Sequence, residues 1–145
     1  MTAESFQQEI NRRCLQQHVT YHGEQHGSAK EALLAQADAF LLPTLNDCFP
    51  LVLLEAMRHG LPCISTSVGA IPEIIGHGHT GFICPEVNAS ALCDAMLALM
   101  QSPSICKSFG EAGKVKYNTF FTRKKFEENI LRIISDTFPV MQEEQ

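Results

Sequence analysis

Two carboxylates and a predicted helix start lie close together in the middle of the sequence. Asp47 comes shortly before Pro50, which suits the first turn of a helix, and Glu55 follows Leu51 by one helical turn. The first turn of a helix presents unpaired N–H groups and the positive end of the helix dipole, so the amides near Leu51 and Val52 could hold a phosphate. One interpretation is that these amides hold a pyrophosphate while a carboxylate one turn deeper accepts hydrogen bonds from a vicinal diol of a sugar.

A structural interpretation of the same residues is also open. Glu55 can pair with Arg58 on an exposed helix edge, and Asp47 can cap the helix or the turn before it. Charged residues on helices are mostly solvated. Spacing alone therefore favours this structural interpretation.

Short β-rich runs alternate with helical patterns along the chain. The β-rich runs, each bounded by Gly, Pro or Asp, lie at residues 18–23, 38–44, 62–67 and 81–85. The helical patterns lie at residues 28–37, 50–60 and 88–100, and from Thr122 onward. Strands that alternate with helices usually build a parallel sheet covered on both faces, so we predict an α/β fold with a doubly wound parallel sheet.

Ligands of such sheets bind outside the carboxyl ends of the strands. The loops expected at that edge are residues 23–27, 43–49, 66–72 and the turn after 82–85. The Gly69–Glu73 stretch also fits a turn into a short helix, and we favour that for Pro72 and Glu73. The end of the chain, residues 138–145, is predicted to fray.

Composition and charge exclude several function classes. The 145 residues fit one domain or part of one, and 45% hydrophobic with 19% charged residues is typical of a folded protein. A net charge of -5 argues against binding nucleic acid, which requires a basic surface. No apolar run approaches the roughly 20 residues that span a bilayer, and the first residues lack the apolar core of a signal peptide, so we expect a cytoplasmic location.

The cysteines and histidines give weak signals. The six cysteines are scattered without a CxxC pair and are interpreted as reduced core thiols. His22 with His26, and His77 with His79, lack the cysteine or carboxylate company of a metal site. We therefore expect no metal.

Several linked motifs in the middle of the chain carry a family resemblance. They are DCFPLVLLEAM from Asp47, GLPCIST from Gly60, GAIPEII from Gly69 and GHTGFICP from Gly78. In this order they resemble the carboxy-terminal, donor-binding domain of family 4 (group 1) retaining glycosyltransferases with the GT-B fold, and the likeness covers roughly residues 15 to 135. The fold implied is Rossmann-like.

The resemblance implies roles for particular residues. Glu55 matches the acid that binds the nucleotide ribose hydroxyls, and Asp47 matches the catalytic acid that faces the donor sugar. His22 and Gly23 would lie near the base. The implied backbone contacts to the diphosphate come from Cys48, Phe49, Leu51 and Val52.

The resemblance also implies an activity. The complete enzyme would transfer a sugar from a nucleotide diphosphate sugar, a UDP-sugar or a GDP-sugar, to an acceptor hydroxyl with retention of anomeric configuration. It would need no cofactor and no obligatory metal. The acceptor would be a sugar, a lipid-linked sugar or a polysaccharide, read by the amino-terminal domain.

This sequence departs from the family pattern in two ways. Asp47 stands where the family has Glu, which shortens the reach by one methylene. The family's Gly-Arg loop, its downstream Lys and its amino-terminal acceptor domain have no match. We therefore expect residues 1–145 to form a partial nucleotide-sugar-binding domain with an incomplete sheet, and to be inactive in isolation. A partner chain could supply the missing half, and through that half the enzyme could associate with a membrane.

Rival functions remain to be separated from this one. The alternative from the same resemblance is a non-catalytic nucleotide-binding or partner module of a split or degenerate glycosyltransferase. A nicotinamide-dependent dehydrogenase would need GxGxxG after a strand, and a P-loop enzyme would need GxxxxGK[ST]; the sequence has neither.

Overall fold

A computed structural model describes residues 2–85 and 88–138 of the protein. The chain divides into two compact units, and the boundary between them in the sequence lies between Leu33 and Leu34. Of the predicted frayed end, residues 139–145 lie outside the described residues.

The first unit contains helix α1, Ala3–Arg12. Thr2 caps this helix, because its hydroxyl accepts a hydrogen bond from the Ser5 N–H at 3.2 Å. Hydrogen bonds from the side chains of Arg12 and Arg13 hold the pKa of Glu9 at about 2. Helix α2, Gly27–Gln36, follows and runs into the second unit.

The predicted strand at residues 18–23 is wrong. His18 and Val19 both donate their backbone N–H groups to the carbonyl of Leu15, at 2.9 Å each. These local turn bonds use donors that a strand would need for pairing with a neighbour. Residues 19–23 then continue without regular structure.

The second unit alternates strands and helices as predicted. Its strands are β1 (Phe40–Leu42), β2 (Cys63–Thr66) and β3 (Gly81–Cys84). Its helices are α3 (Leu51–Arg58), α4 (Ile71–Ile74), α5 (Ala89–Gln101), α6 (Pro103–Lys116) and α7 (Arg123–Thr137), with one π-helical turn, Tyr117–Phe121, between the last two.

The three strands form a parallel sheet in the order β1-β2-β3. Phe40 pairs with Cys63, and Cys63 pairs with Gly81. All the carboxyl ends therefore point to the same edge of the sheet, and the predicted parallel α/β fold is confirmed.

Each face of the sheet has its own core. Cys63 and Ile64 are both buried and, as neighbours in a strand, point to opposite faces. The face of Cys63 packs against α3, with Leu53 and Met57 fully buried. The face of Ile64 packs against α5, with Leu99 buried. This covering of both faces is what a doubly wound sheet requires.

Helix α6 was not predicted from the sequence. It packs against the end of α3 through Gly110, where a Cβ atom would lie only 2.0 Å from the carbonyl oxygen of Gly60. Only glycine permits this approach. In the described part of the chain, no helix is both long and apolar enough to cross a membrane.

Candidate functional site

The loop that joins β1 to α3, residues 43–50, lies at the carboxyl end of β1 and is tied to the neighbouring strand. The buried hydroxyl of Thr66, at the end of β2, donates to the carbonyl of Thr44 at 2.7 Å. The hydroxyl of Ser65 does the same to Leu42 at 2.7 Å. The loop therefore starts from a fixed position.

Asp47 organises the second half of this loop. Its side chain is half-buried, and its Oδ1 accepts a hydrogen bond from the backbone N–H of Phe49 at 3.1 Å. This is a turn of the Asx type, which fits the structural interpretation that Asp47 caps the turn before the helix. The Phe49 amide, one of the four predicted for the diphosphate, is therefore already used by Asp47.

A second loop, residues 67–70 between β2 and α4, contacts the loop that carries Asp47. The N–H of Ala70 donates to the carbonyl of Cys48 at 2.9 Å. At Gly69, whose φ is +53°, a Cβ atom would lie 2.1 Å from the carbonyl oxygen of Asp47. Glycine is required here for both its conformation and its size. The predicted turn into a short helix at Pro72 and Glu73 is confirmed as α4.

Among the described residues, no side chain caps the first amides of helix α3. Pro50 is the N-cap residue and makes no side-chain capping bond. The amides of Leu51 and Val52 belong to the first turn, where no intrahelical acceptor exists. Leu53 is the first to bond within the chain, to the Pro50 carbonyl at 3.0 Å. The helix start thus offers two N–H donors and the positive end of a dipole to an anion.

Glu55 lies on α3 one turn after Leu51, as predicted. It is half-buried, and its Oε2 oxygen is buried. Ala56 and Leu54 beside it are buried. The acid therefore stands below the helix start with part of its carboxylate withdrawn from solvent, where it can accept hydrogen bonds from a diol.

His22 and Gly23 belong to the first unit. Both are exposed, Gly23 has a φ of +68°, and the carbonyl of His22 accepts a hydrogen bond from the side chain of Gln25. Their predicted place near a nucleotide base stays a prediction. Asp47, Cys48, Phe49, Leu51, Val52 and Glu55, in contrast, are brought together by one loop and one helix of the second unit.

The prediction that all six cysteines are core thiols is only half right. Cys63 and Cys84 are buried and Cys106 is half-buried, while Cys14, Cys48 and Cys93 are exposed. Burial raises the pKa of Cys63 to about 12. The exposed cysteines lie in turns or on outer helix faces, which apolar neighbours in the sequence do not reveal. Among the described residues, no cluster of three or more His, Cys, Asp or Glu side chains could hold a metal ion.

A cavity lies at the opposite, amino ends of the strands and contains none of the predicted site residues. It measures about 640 Å³ and is lined by residues such as Asp38, Pro62, Met100 and Lys107. We place the candidate site at the carboxyl ends despite this cavity, because the first amides of α3 and a half-buried acid converge there and parallel sheets bind ligands there.

Sequence reasoning missed the π-helical turn, Tyr117–Phe121, which packs beside the site. The ring of Phe121 meets the ring of Phe49 edge-on, with centroids 6.3 Å apart. The aromatic residues in YNTFF were a signal of packing, but no spacing rule connects them to a loop some 70 residues earlier.

The parallel sheet, with helices on both faces and tied loops at its carboxyl ends, defines a Rossmann-like α/β domain. The family model for glycosyl transferases group 1 matches residues 2–116. The chain belongs to this family.

Two curated relatives illustrate the similarity at the sequence level. N-acetyl-alpha-D-glucosaminyl L-malate synthase of Bacillus anthracis is 36% identical over 111 residues, which cover 77% of this chain and 29% of that protein. The amylovoran biosynthesis glycosyltransferase AmsK of Erwinia amylovora is 36% identical over 96 residues, covering 62% of this chain and 24% of that one. The chain thus spans less than a third of the length of these relatives.

Solved structures show the same fold. The Anabaena protein HepE, crystallised with UDP, superimposes with a TM-score of 0.84 at 19% identity, over 92% of this chain and 36% of that one. The carboxy-terminal domain of the group 1 protein LpcC from Francisella tularensis gives a TM-score of 0.75 at 20% identity, over 83% of this chain and 62% of that one. The likeness supports the predicted GT-B type of domain.

Proposed function

We propose that this chain is the donor-binding part of a retaining glycosyltransferase of family 4, which transfers a sugar from a UDP-sugar or a GDP-sugar to an acceptor hydroxyl. The observation that carries the proposal is the start of α3, where the uncapped amides of Leu51 and Val52 stand one turn above the half-buried Glu55. HepE, which shares this fold, was crystallised with UDP and with UDP-glucose. The proposal includes a cytoplasmic location and an acceptor that is a sugar, a lipid-linked sugar or a polysaccharide.

The chemistry assigned to these groups is mainly electrostatic. Amides at the helix start would stabilise the negative charge that develops on the departing diphosphate, and they are already oriented before the reaction begins. Glu55 would accept hydrogen bonds from the ribose hydroxyls and so fix the position of the nucleotide relative to the start of α3. Neither role requires a metal or another cofactor.

Asp47 would face the donor sugar. One of its oxygens, Oδ1, accepts the Phe49 N–H, which fixes the orientation of the carboxylate. The other oxygen, Oδ2, would be the one that contacts a sugar hydroxyl. Retention of configuration would appear in the anomeric signals of the product, measured by NMR with the complete enzyme.

The experiment that tests the proposal is a calorimetric titration of the 145-residue chain with UDP, GDP and ADP. We expect saturable binding of one of them, and Glu55→Gln is expected to weaken it by about 1–3 kcal/mol, the scale of a lost hydrogen bond to a charged group. The matched control is Glu111→Gln on α6, whose carboxylate is 69% exposed and 3.9 Å from Lys107.

The outcomes separate the candidate functions. A cooperatively folded chain that binds none of the three nucleotides would contradict the donor site. Equal weakening by the Glu55 and Glu111 variants would contradict the role of Glu55. Binding without sugar transfer, once the rest of the enzyme is supplied, would identify the non-catalytic module instead.

A further inference from the structure

The chain leaves α6 through a single π-helical turn, Tyr117–Phe121. The N–H of Tyr117 reaches back to the carbonyls of both Gly113 and Lys114, and the hydroxyl of Thr119 donates to the Val115 carbonyl at 2.8 Å. Single π-helical turns of this kind occur frequently at functional sites.

Core packing anchors the turn on the side of α3. The rings of Tyr117 and Phe121 are half-buried and pack against the core cluster that includes Leu53 and Met57. Thr122 then ends the turn and caps α7, because its hydroxyl accepts the Lys125 N–H at 3.3 Å. The ring of Phe121 is thus held at a fixed position on the core.

From that position Phe121 contacts the loop that carries Asp47. Its ring lies edge-on to the ring of Phe49, with centroids 6.3 Å apart and an interplanar angle of 66°. The backbone N–H of Phe49 in turn donates to Oδ1 of Asp47. An unbroken series of contacts therefore runs from the π-helical turn to the carboxylate.

The residue before the turn contacts α4, the short helix that follows the second loop of the site. Nζ of Lys116 donates to the carbonyl of Glu73 at 2.6 Å, and burial lowers the pKa of this amine. Glu73 lies in α4, whose N-cap residue Ala70 donates its N–H to the carbonyl of Cys48. Residues 116–121 therefore contact both the loop that carries Asp47 and the helix that starts at the second loop.

We propose that residues 116–121 form a brace for the donor site, in which Phe121 is a positioning residue for Asp47 and acts through the ring of Phe49. This inference rests on the proposed function for its effect on the sugar, but the brace itself is a property of the folded chain. Phe121 touches no substrate in this account. It fixes the direction in which the carboxylate of Asp47 points.

The test compares two aromatic pairs that differ in location. Phe121→Leu removes the ring that meets Phe49. Phe109→Leu is the matched control, because Phe109 is also half-buried and meets Phe82 edge-on at 5.4 Å and 66°, on the other face of the sheet. Phe121→Leu loses the contacts with Phe49 and with Phe120, and Phe109→Leu loses the contact with Phe82. Both variants are therefore expected to unfold at a lower temperature than the wild type. Phe121→Tyr keeps a ring and is expected to behave as the wild type.

Two readouts distinguish a brace from general core packing. The first is the NMR chemical shift of the Phe49 amide proton, which reports its hydrogen bond to Asp47 without any ligand. The second is the ratio of the dissociation constants for UDP and UDP-glucose, or for GDP and GDP-mannose where guanine is the preferred base. Phe121→Leu is expected to change the amide shift and to lower the preference for the sugar nucleotide about threefold or more, the scale of one aromatic contact.

Phe109→Leu is expected to leave both readouts at the wild-type values. The brace is overturned when Phe121→Leu keeps the wild-type amide shift, or when Phe109→Leu changes that shift equally. A wild-type chain that binds no nucleotide would contradict the proposed function alone, since the amide shift still decides whether the brace exists.

Discussion

At the carboxyl ends of the strands, the chain offers backbone donors and a carboxylate, whereas at the amino ends it offers space. The carboxyl end holds the uncapped start of α3 and Glu55, in loops tied by Thr66 and Ala70. The amino end holds a cavity of about 640 Å³ with a largely apolar lining that includes Leu61. We propose the site at the carboxyl ends because oriented hydrogen-bonding groups, more than volume, bind a charged ligand.

The two ends also share a feature that makes them comparable. Each contains a glycine at which a Cβ atom would strike the carbonyl oxygen of a neighbouring segment: Gly69 against Asp47 at 2.1 Å, and Gly110 against Gly60 at 2.0 Å. These two backbone contacts are about equally close. Matched substitutions at the two ends can separate stability from binding.

The largest effect is expected from these glycines. Gly69→Ala and Gly110→Ala should each lower the free energy of unfolding by about 2 kcal/mol or more, because the backbone must move to admit the methyl group. Gly69→Ala should also weaken nucleotide binding about tenfold or more, since it displaces the Asp47 loop. Denaturant unfolding and calorimetric titration measure the two quantities. Equal loss of binding in both variants would contradict the placement of the site.

A smaller effect is expected from the tie between β2 and the Asp47 loop. Thr66→Val keeps the shape of the side chain but leaves the Thr44 carbonyl without its donor, which should cost about 1–3 kcal/mol of unfolding free energy. The counterpart at the amino end is Cys106→Ala, which removes a thiol donor to the Asp38 carbonyl at 3.3 Å. A thiol is a weak donor, so this loss should be smaller. Thermal and denaturant unfolding measure both losses. A larger loss of unfolding free energy for Cys106→Ala than for Thr66→Val would contradict the comparison.

The smallest effect concerns thiol reactivity, measured by alkylation and peptide mass spectrometry. Cys48 is exposed at the carboxyl end. At the amino end, burial and the nearby charge of Asp38 raise the pKa of Cys106. A raised pKa leaves less thiolate near pH 8, so Cys106 should react more slowly and gain reactivity only at higher pH. Bound nucleotide should slow the alkylation of Cys48 and leave Cys106 unchanged; protection of Cys106 alone would place the ligand at the wrong end.

The sequence predicted the elements that have strong local signals. Helix α3 falls between Pro50 and Gly60. Asn88, one of two predicted starts together with Ser90, caps α5, and Thr122, near which α7 was predicted to begin, caps α7. Residues 18–23 have a composition typical of a strand. The backbone N–H groups of His18 and Val19, however, donate to the carbonyl of Leu15 in a turn and are not available for strand pairing. Helix α6 contains two glycines, Gly110 and Gly113, which lower its helix propensity. These glycines favour the helix only through tertiary packing, which the local sequence does not reveal.

The same division applies to the candidate site. The succession of Asp47, the α3 start and Glu55 was predictable because it lies within nine residues of one loop and helix. The contacts of Gly69 and Phe121 with that loop were not, because they join segments distant in the sequence. Tertiary contacts of this kind follow from the fold and have no local pattern.

The most direct test of the central claim is an NMR titration of the isotopically labelled chain with UDP, GDP and ADP, compared with the corresponding monophosphates. We predict that a diphosphate shifts the amide signals of Leu51 and Val52 saturably, and that the monophosphate shifts them less. A folded chain whose signals change only around Asp38 and Lys107, or do not change with any of these nucleotides, would contradict the account.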